Sequence, residues 1–201
     1  MAEFDPAFDA IVKRREGRWG NNAFDPGAET YKGRSRAKHP DLALWHRIDA
    51  AKRRPDFPAC LEADAELQRL LRASYKNDEW AKIRGDVLPS QTLAIELFDN
   101  AVLEGPGAAI VLLQFALNSL NKGARSWPDI PVDGGFGDVT LSAVAACVSK
   151  GRVPKLDKTI NVLQGAYLLL GAALIAFLKA HPTPAWREEF WPGGWLDRVS
   201  I

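Results

Sequence analysis

The stretch "VKRREGRWGNNAFDPGAETYKG", residues 12–33, decides how this chain is read. Just upstream, Asp5-Pro6 is a helix start, because an acid caps free N–H groups and proline loses nothing at the first helical position. Phe8, Ile11, Val12 and Glu16 then recur at i, i+3, i+4 and i+8, which is one face of a helix. Gly17 supplies the stop. The expected helix therefore ends with an acid on its apolar side. Residues 18–34 follow, rich in Gly, Asn, Asp and Pro, with Trp19, Phe24 and Tyr31 among them, and that pattern predicts a short, irregular hairpin.

Sharing a face with Phe8 and Val12 removes water from the Glu16 carboxylate, and the negative end of the helix dipole disfavours its charge again. Lys13, Arg14 and Arg18 oppose this from the solvent side, where their effect is screened. The expected outcome is a carboxylic acid that keeps its proton to near-neutral pH, as a general acid must when it protonates a leaving oxygen. A solvent-exposed Glu paired with an arginine is the plainer alternative.

Outward from this stretch the signals are helical. A helix is expected from Pro40 to near Arg54-Pro55, and another from about Ala59 to Asn77 with Leu61, Leu67, Leu70, Leu71 and Tyr75 on one side. Ser90 caps a segment through Leu103 that is apolar nearly all round, which places it at the centre of the fold. Gly105-Pro106-Gly107 breaks it, and Ala108 to Leu120 forms the next helix. The loop ending in VDGGFGD lacks the alternating carboxylates of a calcium loop and the lysine of a phosphate loop, so a turn before a helix capped by Asp138 accounts for it. A long helix is expected from Asp157 to His181-Pro182, and the tail carries three of the seven tryptophans. The reading is one mainly α body, residues 1–201, with a small hairpin.

Composition narrows the function. The chain has 201 residues, 47% hydrophobic and 25% charged, and a net charge of +1 that does not point to nucleic acid. Between Lys13 and Arg54 stand twelve Lys or Arg against five Asp or Glu, a basic quarter suited either to solvent or to an anionic partner. Cys60 and Cys147 are read as free buried thiols, although one disulfide fits the spacing too. His39, His46 and His181 form no metal-ligand spacing, so neither metal nor cofactor is expected. The apolar run Ala166 to Leu178 is too short to span a bilayer and reads as a buried helix, with no stable membrane insertion. The opening residues carry no signal-peptide pattern, so the expectation is synthesis in the cytoplasm.

Glu16-Gly17-Arg18-Trp19, then Asp25-Pro26-Gly27-Ala28-Glu29-Thr30 and Gly33, resemble the start of glycoside hydrolase family 108, the N-acetylmuramidases of phage endolysin type. Tyr75 to Trp80, Ile83-Arg84-Gly85-Asp86 and Leu88-Pro89-Ser90-Gln91 are similar to a second block of that family. Phe98 to Val102, Leu113-Gln114 and Val132-Asp133-Gly134 are similar to its C-terminal half. The chain departs from the pattern at Arg18 and Ala28, where the family has glycine, at Trp19, where it has tyrosine, and at Arg34, where an apolar residue is usual.

The resemblance implies a lysozyme-like helical fold with a hairpin beside the active-site cleft. Residues 4–90 would form the catalytic half and 91–201 a half resembling a peptidoglycan-binding region. It implies hydrolysis of the β-1,4 bond between N-acetylmuramic acid and N-acetylglucosamine in peptidoglycan glycan strands, by an endolysin or prophage-derived enzyme that reaches the wall through a holin or another export route. Glu16 would be the catalytic acid, Asp25 the second carboxylate with Glu29 as the other choice, and Thr30 a third participant. Trp19, Glu29 and Tyr31 join the substrate candidates. Tyr75 and Trp80 are weighed between sugar stacking and core packing, and Asp99 and Asn100 between sugar contact and hydrogen bonds to a loop. The alternatives are a non-catalytic wall-binding or secretion-assisting protein on the same fold, and a lytic transglycosylase.

Overall fold

A computed structural model describes residues 1–13, 17–22 and 28–183. Glu16 and Asp25 lie outside the described residues, as does the tryptophan-rich tail from residue 184. The chain divides into two compact units, Phe4–Asp78 and Met1–Glu3 with Glu79–Ile201.

In the first unit, helix α1 spans Phe4–Phe8 and widens into a π-type turn over Asp9–Lys13, burying Phe4, Ala7, Phe8, Ile11 and Val12. Asp5 stands inside the first turn rather than at the cap, since the helix already begins at Phe4, and its carboxylate pairs with Arg72. The hairpin is a three-stranded antiparallel sheet of β1 (Trp19–Asn21), β2 (Glu29–Tyr31) and β3 (Arg34–Ser35). Lys32 (φ 42°) and Gly33 (φ 79°) join β2 to β3, two successive left-handed residues that match the twist of the strands. The turn lysine is secured from both ends: its carbonyl accepts the Tyr75 hydroxyl at 2.7 Å and its ammonium meets Glu62 at 2.7 Å.

Helix α2 covers Leu44–Ala51 and starts later than Pro40, since turns occupy the approach and the Trp45 indole donates to the His39 carbonyl at 2.7 Å. The helix expected from Ala59 to Asn77 is two pieces. A single 3-10 turn, Ala59–Leu61, precedes α3 (Ala65–Tyr75), which begins where Asp64 accepts the Leu67 N–H at 3.0 Å. That cap makes a fresh start more favourable than continuing through Glu62-Ala63.

In the second unit, Ser90 caps α4 (Gln91–Glu104) through the Leu93 N–H, as expected. Gly105, at φ 87°, turns the chain, and α5 (Pro106–Leu120) begins on proline rather than at Ala108. The central helix is α5, not α4. It buries Ala109 through Gln114 and Ala116 through Leu120 and packs against every other helix of the unit, whereas Leu103 of α4 is exposed. Helix α6 runs Asp138–Ser149 and is preceded by Gly137. Asp138 is therefore its first residue and not its cap, and its carboxylate meets Arg84 at 2.6 Å.

The long helix expected from Asp157 is α7 (Val153–Leu170) and α8 (Ala172–Ala180), hinged at Gly171 with φ 56°. The apolar run is only half buried. Leu174 and Leu178 enter a cluster with Val111, Leu112 and Val132, while Leu168, Leu169, Leu170 and Phe177 face outward. Among the described residues no helix is long and apolar enough to cross a membrane.

Candidate active site around the small sheet

Strand β2 divides its side chains between two faces. Glu29 and Tyr31 point one way and are buried, while Thr30 points the other and is half-buried. Gly20 lies opposite Thr30 in the register, and a Cβ added there would sit 3.6 Å from the threonine hydroxyl oxygen. Thr30 is thus on the more open face. In chain order Glu16 precedes β1 and Asp25 falls between β1 and β2, both outside the described residues.

The Glu29 side of the sheet is closed by a ring of charges. Glu29 is 7% exposed and accepts the Trp19 indole N–H at 2.8 Å. Lys52 Nζ lies 3.0 Å from its Oε2, and Arg36 Nε pairs with the same oxygen at 2.8 Å. Asp49 closes the ring, taking both terminal nitrogens of Arg36 at 3.1 and 2.7 Å and Lys52 at 2.9 Å. The Arg36 guanidinium also lies 4.6 Å over the Trp45 ring.

Burial alone would raise the Glu29 pKa. Hydrogen bonds from Lys52 and Trp19, and the charges of Lys52 and Arg36, outweigh it and hold the carboxyl below its usual range. Asp49 is held low chiefly by its bonds to Arg36. A carboxylate so saturated has no proton to give and little appetite for one. What Glu29 does is aim Trp19, whose ring packs edge-on to Phe57 at 4.7 Å.

The remaining candidates occupy varied surroundings. Tyr31 is fully buried, its hydroxyl accepts the Gln68 amide at 2.8 Å, and burial pushes its pKa up to about 12. Tyr75 is 1% exposed, lies edge-on to Phe8 at 5.8 Å and carries the Arg34 guanidinium 3.7 Å over its ring. Trp80 is fully buried, packs edge-on to Phe98 at 5.9 Å and donates to Asp86 at 2.8 Å. Asn100 is fully buried and donates back to the Glu96 carbonyl of its own helix at 2.9 Å. These four side chains are interior and present no face to a sugar. Asp99 is half-buried on α4.

Of two departures from the family pattern, the structure accounts for Arg34 and leaves Ala28 without a structural explanation. Arg34 is 2% exposed, yet its guanidinium covers Tyr75, bonds Ser74 Oγ at 3.0 Å and approaches Asp78 at 3.8 Å, so the buried cation is satisfied. Ala28 sits at φ 52°, a conformation that glycine adopts without strain. The Arg84-Gly85-Asp86 block is equally structural: a Cβ on Gly85 would fall 2.2 Å from Trp80 Cε2, so only glycine lets the indole lie flat on the turn.

Sequence reasoning missed two carboxyls of the second unit. Glu104 has both oxygens out of water and without a hydrogen-bond donor among the described residues, and burial, then the nearby Asp99 charge, push it up to about 7. Asp157 is raised to about 6 by burial and by Glu96. Glu96, Asn100 and Glu104 recur every four residues on α4, a spacing that marks one helix face and was the available signal. The VDGGFGD loop is tied down by Gln114, whose amide donates to Asp133, Gly135 and Thr140 and whose oxygen accepts from Asp133 and Gly134. A largely apolar hollow of about 490 Å³ lies beside α6, lined by Trp127, Pro128, Ile130, Val139 and Ala143. Among the described residues no cluster of three or more His, Cys, Asp or Glu could hold a metal ion, and Cys60 and Cys147 are free thiols.

Against known proteins, residues 8–105 match glycosyl hydrolase family 108, a span that holds Glu16, Asp25 and the whole sheet. The structure of Brucella abortus SagA is similar over 89% of this chain and 92% of its own, at 21% identity and a TM-score of 0.50, a likeness of fold. No curated protein sequence matches the chain.

Proposed function

From a chain whose residues 8–105 are a glycosyl hydrolase 108 region, we propose a muramidase that cleaves the β-1,4 bond between N-acetylmuramic acid and N-acetylglucosamine. The observation that carries this reading is the family match itself, because it spans the Glu16-to-Thr30 stretch on which the chemistry depends. Glu16 gives its proton to the bridging oxygen as the C1–O bond breaks, and the oxygen keeps the bonding electrons. Asp25 holds the water that adds at C1, or steadies the positive charge there. Thr30, on the open face of β2, assists that water. Trp19, aimed by Glu29, offers its ring to the glycan. The natural setting is the bacterial cell wall, reached through a holin or another export route by an endolysin or prophage-derived enzyme.

Glu29 is the less suitable second carboxylate, because three donors already hold it ionised. One sequence feature favours the wall-binding alternative: Arg18, an exposed cation two residues from Glu16 where the family has glycine. Purified peptidoglycan digested with wild type and with Glu16→Gln separates the readings by mass spectrometry of the new ends. Reducing muramic ends from wild type alone support the hydrolase. Anhydro ends would make it a transglycosylase, and intact glycan with retained binding would make it a binding protein.

A further inference from the structure

From Thr159 to Leu178 the chain runs twenty residues without a charge, bracketed by Lys158 and Lys179. The fold uses only the inner side of this run. Leu174 and Leu178 are buried against α5, with Leu163, Ala166, Tyr167 and Ile175 packed partly around them. The outer side is left to solvent: Leu168 is 64% exposed, Leu169 86%, Leu170 59% and Phe177 55%. Ala173, Ala176 and Phe177 recur at i, i+3 and i+4 on α8 and are all exposed, so this helix is apolar on its outer face as well. A soluble helix normally carries charge there.

We propose that the α7–α8 corner docks on the surface of an anionic phospholipid bilayer. Leu168, Leu169 and Leu170 are successive residues of the last helical turn, so they point about 100° apart around it. A flat protein partner could cover one or two of them, whereas acyl chains close around all three. Exposed Lys179, at the end of α8, can extend its long cationic side chain to lipid headgroups, whereas Lys158, at the other end of the uncharged run, is half-buried. Lys179 also acts on Asp133, helping to hold that carboxyl low, so its charge is partly shared. The helices lie at the interface and do not span: α8 is nine residues long, α7 ends at Leu170, and among the described residues no helix is long and apolar enough to cross a membrane. Such a contact would keep a wall-cleaving enzyme next to the membrane that bounds its substrate.

The test is co-sedimentation of the full chain with vesicles of equal parts phosphatidylethanolamine and phosphatidylglycerol. Wild type is expected in the pellet. The triple variant Leu168→Ser, Leu169→Ser, Leu170→Ser loses roughly tenfold or more of the binding, with an unchanged melting temperature because these side chains face solvent. Should the triple variant misfold, Leu169→Asp alone keeps the test valid, because an acid at the tip is repelled by the anionic headgroups and should also lose the binding. Wild type left in the supernatant overturns the proposal, as does equal sedimentation of variant and wild type. A wild-type dimer that the triple variant dissociates, without vesicle binding, assigns the face to a second copy and overturns it. Vesicle binding that appears only after deletion of residues 184–201 assigns the face to that segment and also overturns it.

Discussion

Replacing Glu29 by glutamine removes one charge from the four-membered ring without changing its shape. The amide oxygen of the Glu29→Gln variant still accepts the Trp19 indole, but Lys52 and Arg36 then face each other across a neutral group, with Asp49 as their shared anion. Breaking a buried, hydrogen-bonded pair typically costs 3–5 kcal/mol. Lys52 and Arg36 side chains are 36% and 31% exposed and recover part of their hydration, so the expected loss is about 2–3 kcal/mol. In a chain of 201 residues that lowers the melting temperature by roughly 5–10 °C. The pH dependence follows from the depressed carboxyl. Its stabilisation is complete above the unfolded carboxylate value near 4.5 and is lost as pH falls through the lower folded value, so wild type and variant converge in acid. Thermal melts at several pH values supply the stability half of the assay, and turnover on peptidoglycan well below the melt supplies the other. If Glu29 is a scaffold for Trp19, turnover falls less than about tenfold. A folded variant that loses about a hundredfold or more would end the scaffold role and make Glu29 the second carboxylate.

Three further perturbations follow. Gly85→Ala drives a methyl into the buried Trp80 ring and should cost about 3 kcal/mol or more in urea denaturation, partly relieved in a Trp80→Leu background; an unrelieved or negligible cost contradicts the packing. Ala28→Gly removes left-handed strain and should stabilise by up to about 1 kcal/mol, whereas a loss larger than that would show the alanine methyl to be useful. Glu104 and Asp157 have folded values raised to about 7 and about 6, so their stabilisation is complete below the unfolded values of 4.5 and 3.8 and fades as pH rises through the folded ones. Together with Glu29 this places maximal stability from these groups near pH ~4, with a decline of about 1–3 kcal/mol by pH ~8 after allowing for solvent screening. The urea midpoint of Glu104→Gln should be flatter over that range, and an unchanged slope removes Glu104 as its cause.

Local chemistry was the most legible part of the chain. Ser90 before an apolar run, Gly105-Pro106 after it, and the Gly-rich hairpin all act through neighbours in sequence, and each lies where the residues indicated. The misread boundaries have tertiary or conformational causes. Gly171 sits in a run that favours helix on either side, and only its φ of 56° reveals the break. The centrality of α5 is a matter of tertiary packing: a helix surrounded on all sides has little amphipathic contrast, and the clearer signal was that α5 carries no charge whereas α4 carries Glu96, Asp99 and Glu104.

The site divides in the same way. The Glu16 stretch is legible as a motif, whereas the occupation of Glu29 depends on Lys52, twenty-three residues away on another element. Tyr75 and Trp80 are conspicuous as rings, yet whether a ring meets a sugar or a core depends on what packs against it. For Trp80 that is Gly85, five residues on in an ordinary turn.

The proposed chemistry stands or falls with the proton at Glu16. Its sharpest check is the rate of glycan cleavage by wild type and by Glu16→Gln on the same peptidoglycan, with both proteins verified as folded. Reducing muramic ends are expected to accumulate about 10² to 10⁴ times more slowly in the variant. Equal rates, or no cleavage by wild type at any pH, would remove Glu16 as the acid.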